Sequence, residues 1–171
     1  MSHYFFALMP EARFGKKICK WRMDFIGSKL VDSLPPHLTV KRRFLLKQNI
    51  SIDTLKKVLD GFSFPKIIAK NNKIERLGEA VVIRIQNIKL KKYHKKLQGL
   101  LKNIAISKNP EYEDDCFAAH LTLFRDPKNK LSPNWNSIDI NKIVFNKICL
   151  YEIDPSSKRC FAYKIKCRYL K

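Results

Sequence analysis

HLTV at residues 37–40 and HLTL at residues 120–123 decide how this chain reads. The chain has four histidines and three threonines, and two of each fall in these tetrapeptides. Random placement would give about 0.07 HxT triplets in a chain of this length. Residues i and i+2 of a strand share a face. His37 and Thr39 therefore project together, as do His120 and Thr122, while Leu38 and Leu121 anchor the opposite face in the core.

The elements around the motifs repeat. His3 to Met9 reads as a strand, and Pro10 starts a helix running to about Gly27, with Phe14, Ile18, Trp21 and Phe25 at helical spacing. Asp32 to Pro36 is a loop. His37 to Phe44 is a strand, with Leu38, Val40 and Arg42 on one face and His37, Thr39 and Lys41 on the other. Ser51 caps a short helix to about Gly61, with Leu55, Val58 and Leu59 on its apolar face. Phe64 to Leu77 is extended, Gly78-Glu79 is a turn, and Ala80 to Gln86 is a strand.

A further helix spans about Leu90 to Ile106, with Leu90, Tyr93, Leu97, Leu100, Leu101 and Ile104 as its apolar stripe. Its lysines fit either a solvated face or contact with an RNA backbone. His120 to Arg125 is a strand and Asp126 to Asn136 a loop. Ile143 to Ile153 and Cys160 to Leu170 flank the turn residues Asp154, Pro155, Ser156 and Ser157 as an antiparallel hairpin. Strand, helix, loop and HLT strand thus occur twice, from Tyr4 to His37 and from Val81 to His120. The starts lie 77 residues apart (81 − 4) and the histidines 83 apart (120 − 37). This predicts one α+β domain over 1–171, built from two duplicated β-α-β lobes.

Composition narrows the function. The 171 residues are 45% hydrophobic, enough for a core without staples. Net charge is 35 − 15 = +20, which favours polyanions such as nucleic acid. Lysine is far commoner than arginine, so the same charge also fits a compositional bias. No apolar run approaches the roughly 18–20 residues that span a bilayer. The opening apolar stretch ends at Pro10 and Glu11, too soon for a secretory signal. Cysteines 19, 116, 149, 160 and 167 form no CxxC pair and read as reduced, mostly buried thiols of a cytoplasmic protein. Cys116 lies four residues before His120, but no second Cys/His pair completes a zinc ligand set.

Two imidazoles and two hydroxyls around one groove suit phosphodiester cleavage without metal. A neutral histidine takes a proton from the attacking water, and a protonated one gives a proton to the leaving oxygen. The threonine hydroxyls and a cation, with Arg125 best placed, would meet the charge that builds on phosphorus. The acidic cluster Glu111, Glu113, Asp114 and Asp115 has no counterpart near His37 and reads as a solvated loop.

These motifs resemble those of the two-histidine phosphoesterase superfamily, and more closely the bacterial RNA 2′,3′-cyclic phosphodiesterases, formerly called 2′-5′ RNA ligases. YFFALMP, HLTVKRRFL, FAAHLTLFR, and ICLYEI with FAYKIKCRYL carry the likeness nearly end to end. The resemblance implies a bilobal fold with antiparallel sheets around a V-shaped cleft, and no cofactor or metal. It implies that His37 protonates the 3′ leaving oxygen and His120 activates water, leaving a 2′-phosphate. Thr39 and Thr122 match phosphate-binding positions and Arg125 a cationic one. Phe6 matches an aromatic near the cleft, able to stack on a base, and equally fits a core position. The chain departs from the pattern at Ala119, commonly proline, and after Phe44, where a glycine is missing. Lys41, Arg42 and Arg43 there fit RNA contact or a solvated edge strand.

The expected partner is RNA or a nucleotide with a 2′,3′-cyclic phosphate, bound by a monomer that engages no membrane. Two alternatives keep the same residues. The site could act on 2′,5′-linked oligonucleotides or other cyclic nucleotides, or the chain could be a non-catalytic basic RNA-binding protein.

Overall fold

Alternating side chains sort the first strand, β1 (His3–Pro10), into two faces. Tyr4, Phe6 and Leu8 enter one apolar cluster, and Phe5 and Ala7 enter a second on the opposite side, with Met9 packed against it. The computed structural model describes residues 2–26, 34–125, 138–154 and 162–171. The remaining elements are α1 (Ala12–Ile26), β2 (Leu38–Leu46), α2 (Ile52–Gly61), β3 (Ile67–Lys70), β4 (Lys73–Leu77) and β5 (Ala80–Arg84). They continue with α3 (Ile88–Leu101), β6 (Ala105–Ser107), β7 (His120–Arg125), β8 (Lys142–Ile153) and β9 (Ala162–Tyr169).

All strand pairs are antiparallel. The sheet runs β3-β8-β1-β2-β7-β5-β4, with β6 also on β2 and β9 on β8. This is an α+β fold. The units β1-α1-β2 and β5-α3-β7 meet where β2 pairs with β7. The larger cluster joins the helices to one face of the sheet through Ile18, Trp21, Leu55, Leu59, Leu90 and Leu97. Among the described residues no helix is long and apolar enough to cross a membrane.

Bulges set which side chains of β2 face where. Ala7 lies opposite Thr39, but Phe6 lies opposite Lys41, so Val40 is an extra residue. Lys41 thereby turns into the interior beside Phe6, instead of sharing the face of Thr39. It is 1% exposed, and its ammonium donates to Gln98, Ser107 and Glu113. Those three acceptors match the three hydrogens of a charged lysine. Glu113 also accepts from Gln98 and, at 2.8 Å, from Ser107. Burial pushes the Glu113 carboxyl upward, but these donors outweigh it and hold its pKa below the usual value. Glu113 is therefore buried, which corrects the solvated-loop reading: the inward lysine needs a counter-charge.

Other expectations shift in register. Pro10 closes β1 instead of opening α1. Helix α3 stops at Leu101, and Ala105–Ser107 pairs with β2. Leu100 is exposed, and His94 takes the buried position instead. Its Nδ1 donates to Val40 O at 2.7 Å and its Nε2 accepts from the Asp114 amide at 2.9 Å. Ser51 precedes α2 but its side chain makes no cap hydrogen bond. Cys149 and Cys167 stand opposite one another in the β8–β9 register and form a disulfide. Cys19 and Cys116 are exposed thiols. Both findings correct the reading of reduced, mostly buried cysteines. The Phe25 side chain, Gly27, Asp32, the segment 126–136, the turn residues 155–157 and Cys160 lie outside the described residues.

Candidate active site

The two HLT motifs lie on neighbouring strands. Leu38 pairs with Leu121, and both are fully buried against the helices. Antiparallel pairing then sets His37 across from Thr122, and Thr39 across from His120, on the other face. The two histidines are diagonal neighbours, about 7–8 Å apart at Cα. Ala7, opposite Thr39, belongs to the cluster of Phe5, Cys149, Tyr151 and Ile153, so the motifs open on the face away from the helices.

Backbone carbonyls orient both rings. His37 Nδ1 lies 2.9 Å from Pro35 O, and His120 Nδ1 lies 2.8 Å from Ala118 O. A carbonyl only accepts, so each Nδ1 carries hydrogen and donates. Proton exchange with a ligand would run through Nε2 in both cases. Burial lowers the His120 pKa. The bond to Ala118 opposes this, while the charges of Arg42, Arg84 and Arg125 lower it further. His120 is thus held toward the neutral, proton-accepting form.

Several nearby residues escape a reading by motif. Arg22, 2% exposed on α1, donates to the carbonyls of Thr122 and of Leu34, three residues before His37. One side chain thereby ties both motifs from behind. Phe5 lies beside His37, with ring centroids 5.7 Å apart, and stacks on Tyr151 at 5.0 Å. Phe6 points the other way, fully buried and stacked on Phe44 at 5.9 Å. That corrects its placement at the cleft, because the alternation of β1 gives the site side to Phe5. Arg84 sits directly opposite His120 in the β5–β7 register. Strand alternation alone would have found Phe5. Arg22 and Arg84 carried no signal in the sequence.

Arg125 needs a bulge to reach the site. Thr122 pairs with Val82 and Phe124 with Val81, so Leu123 is the extra residue. Phe124 turns inward against Trp21 at 6.1 Å, and Arg125 returns to the face of His120 and Thr122, exposed. Thr39 and Thr122 are half-buried beside the histidines.

No family model and no curated protein sequence matches the chain. Solved structures do. E. coli LigT complexed with 3′-AMP superposes with a TM-score of 0.66 at 19% identity, over 99% of this chain and 98% of that one. The fold is that of LigT. A structure described as a phosphoesterase gives 0.65 at 17% identity, over 99% of each chain. A protein of Thermus thermophilus gives 0.66 at 10% identity, over 98% of this chain and 97% of that one.

On this LigT-like fold the sheet brings two imidazoles, two hydroxyls and the guanidinium groups of Arg84 and Arg125 to one surface. Such a set can bind a phosphate anion and exchange protons with it from two sides.

Proposed function

We propose that this chain is a two-histidine phosphoesterase that hydrolyses RNA 2′,3′-cyclic phosphate ends to 2′-phosphates without a metal. One observation carries the reading: the two HLT motifs occupy paired strands with their histidines and threonines on one face. The LigT-like fold supports it, as do LigT structures holding 3′-AMP, ATP, NADP+ and phosphate. In the reaction, neutral His120 takes a proton from water as that water's oxygen bonds to phosphorus. The 3′ P–O bond breaks, and protonated His37 gives its Nε2 proton to the 3′ oxygen. Thr39, Thr122 and Arg125 hold the phosphoryl oxygens as charge builds on them. The chain would act as a monomer, its two lobes forming one domain, in the cytoplasm.

Incubation with a 2′,3′-cyclic mononucleotide in excess chelator is expected to give the nucleoside 2′-phosphate, identified by phosphorus NMR. A 3′-phosphate product would reverse the proposed direction of cleavage. Absence of turnover on cyclic mononucleotides and on cyclic-ended RNA, with RNA still bound, would make the chain a binding protein. The pH profile gives a second check. The base must be neutral, so kcat/KM rises with pH through the His120 pKa. Because that pKa is lowered, the half-point of the acidic limb is expected below about 6.5, the ordinary imidazole value. A half-point above that value would contradict His120 as the base.

A further inference from the structure

The two bulges that deliver Arg125 and bury Lys41 are counterparts. Val40 and Leu123 each follow their histidine by three residues, and each is an extra residue of its strand; β2 has a second register shift between Lys41 and Phe44, where Arg42 and Arg43 stand. The next residue turns inward in both strands: Lys41 to Gln98 and Glu113, Phe124 to Trp21. The residue after that is arginine in both strands, Arg42 and Arg125, and the charges of both act on His120. Arg42 stands about 7 Å beyond Thr39 along β2, past the level of His120. Its guanidinium lies over the half-exposed Tyr112 ring, 4.3 Å from the centroid, which orders the side chain before any ligand arrives.

On the other side of His120, across β7, is Arg84, whose guanidinium is 3.7 Å from Glu75. His120 lies between the two arginines, and the charges of both act on it. Two cations flanking the His120 end exceed what one reacting phosphate needs, given Arg125 and two threonines at the motifs. We infer that Arg42 and Arg84 form a second phosphate subsite, which takes the phosphodiester next to the reacting one, so that the substrate is an RNA end of at least two nucleotides. This rests on the proposed function and names the substrate class of that site. Arg42 stacked on Tyr112 would present its free guanidinium edge to two phosphate oxygens.

The test compares a 2′,3′-cyclic mononucleotide with a dinucleotide ending in the same cyclic phosphate. The wild-type protein is expected to favour the dinucleotide at least tenfold in kcat/KM. Arg42→Gln is expected to erase most of that ratio, and Lys92→Gln, on the exposed side of α3, to leave it unchanged. No wild-type preference, or a ratio untouched by Arg42→Gln, overturns the subsite. Equilibrium binding of the corresponding 2′-phosphates separates this from a failure of the proposed reaction. With no turnover at all, the dinucleotide 2′-phosphate must still bind about tenfold tighter than the mononucleotide, and lose that advantage in Arg42→Gln. Equal affinities would overturn the subsite independently of catalysis.

Discussion

His37→Ala and His120→Ala are each expected to lower kcat on a 2′,3′-cyclic phosphate by about 10²–10⁴, the usual contribution of a positioned general acid or base. The two losses should not multiply in the double variant, because acid and base serve one displacement. Binding of a nucleoside 2′-phosphate should weaken much less, since Thr39, Thr122 and Arg125 remain. The variants should also separate by pH. The limb assigned to the lowered His120 pKa disappears from the residual activity of His120→Ala and persists in His37→Ala. Full activity in either single variant would break the acid–base assignment.

The largest effect on stability is expected at Glu113. It is 7% exposed and accepts from Lys41, Gln98 and Ser107, while Lys41 is 1% exposed. Glu113→Ala leaves a charged lysine buried without its counter-ion, which should cost about 3–5 kcal/mol in urea unfolding. Lys41→Met with Glu113→Leu removes both charges and should recover most of that loss. A cost below about 1 kcal/mol for Glu113→Ala would mean that the pair is not buried in solution. Activity should fall with stability, because Lys41 lies two residues after Thr39 and fixes the bulge that sets the register of β2.

Alternation and spacing made the two His–Thr pairs readable. HxT on a strand fixes a shared face, and the repeated strand-helix-strand order brings the two strands together. The same alternation fails past the bulges. A period of two sends Lys41 to the site, whereas one extra residue at Val40 turns it inward. Glu113 reads as part of a solvated loop because nothing in the spacing shows that Lys41 turns inward to meet it. Leu100 and His94 exchange roles because an apolar stripe does not reveal that β2 and the Asp114 amide offer His94 both a carbonyl and an N–H. Phe6 illustrates the reverse case: strand parity alone separates it from Phe5, and a likeness of neighbouring aromatics does not. The cysteine pair depended on the register between β8 and β9, which spacing along the chain does not encode.

The most direct measurement is a crystal structure with a nucleoside 2′-phosphate bound. The account predicts one phosphate whose oxygens lie within about 3 Å of Nε2 on both His37 and His120, with the Thr39 and Thr122 hydroxyls on the same group. A phosphate held by one histidine alone, or seated away from the β2–β7 pair, would contradict it.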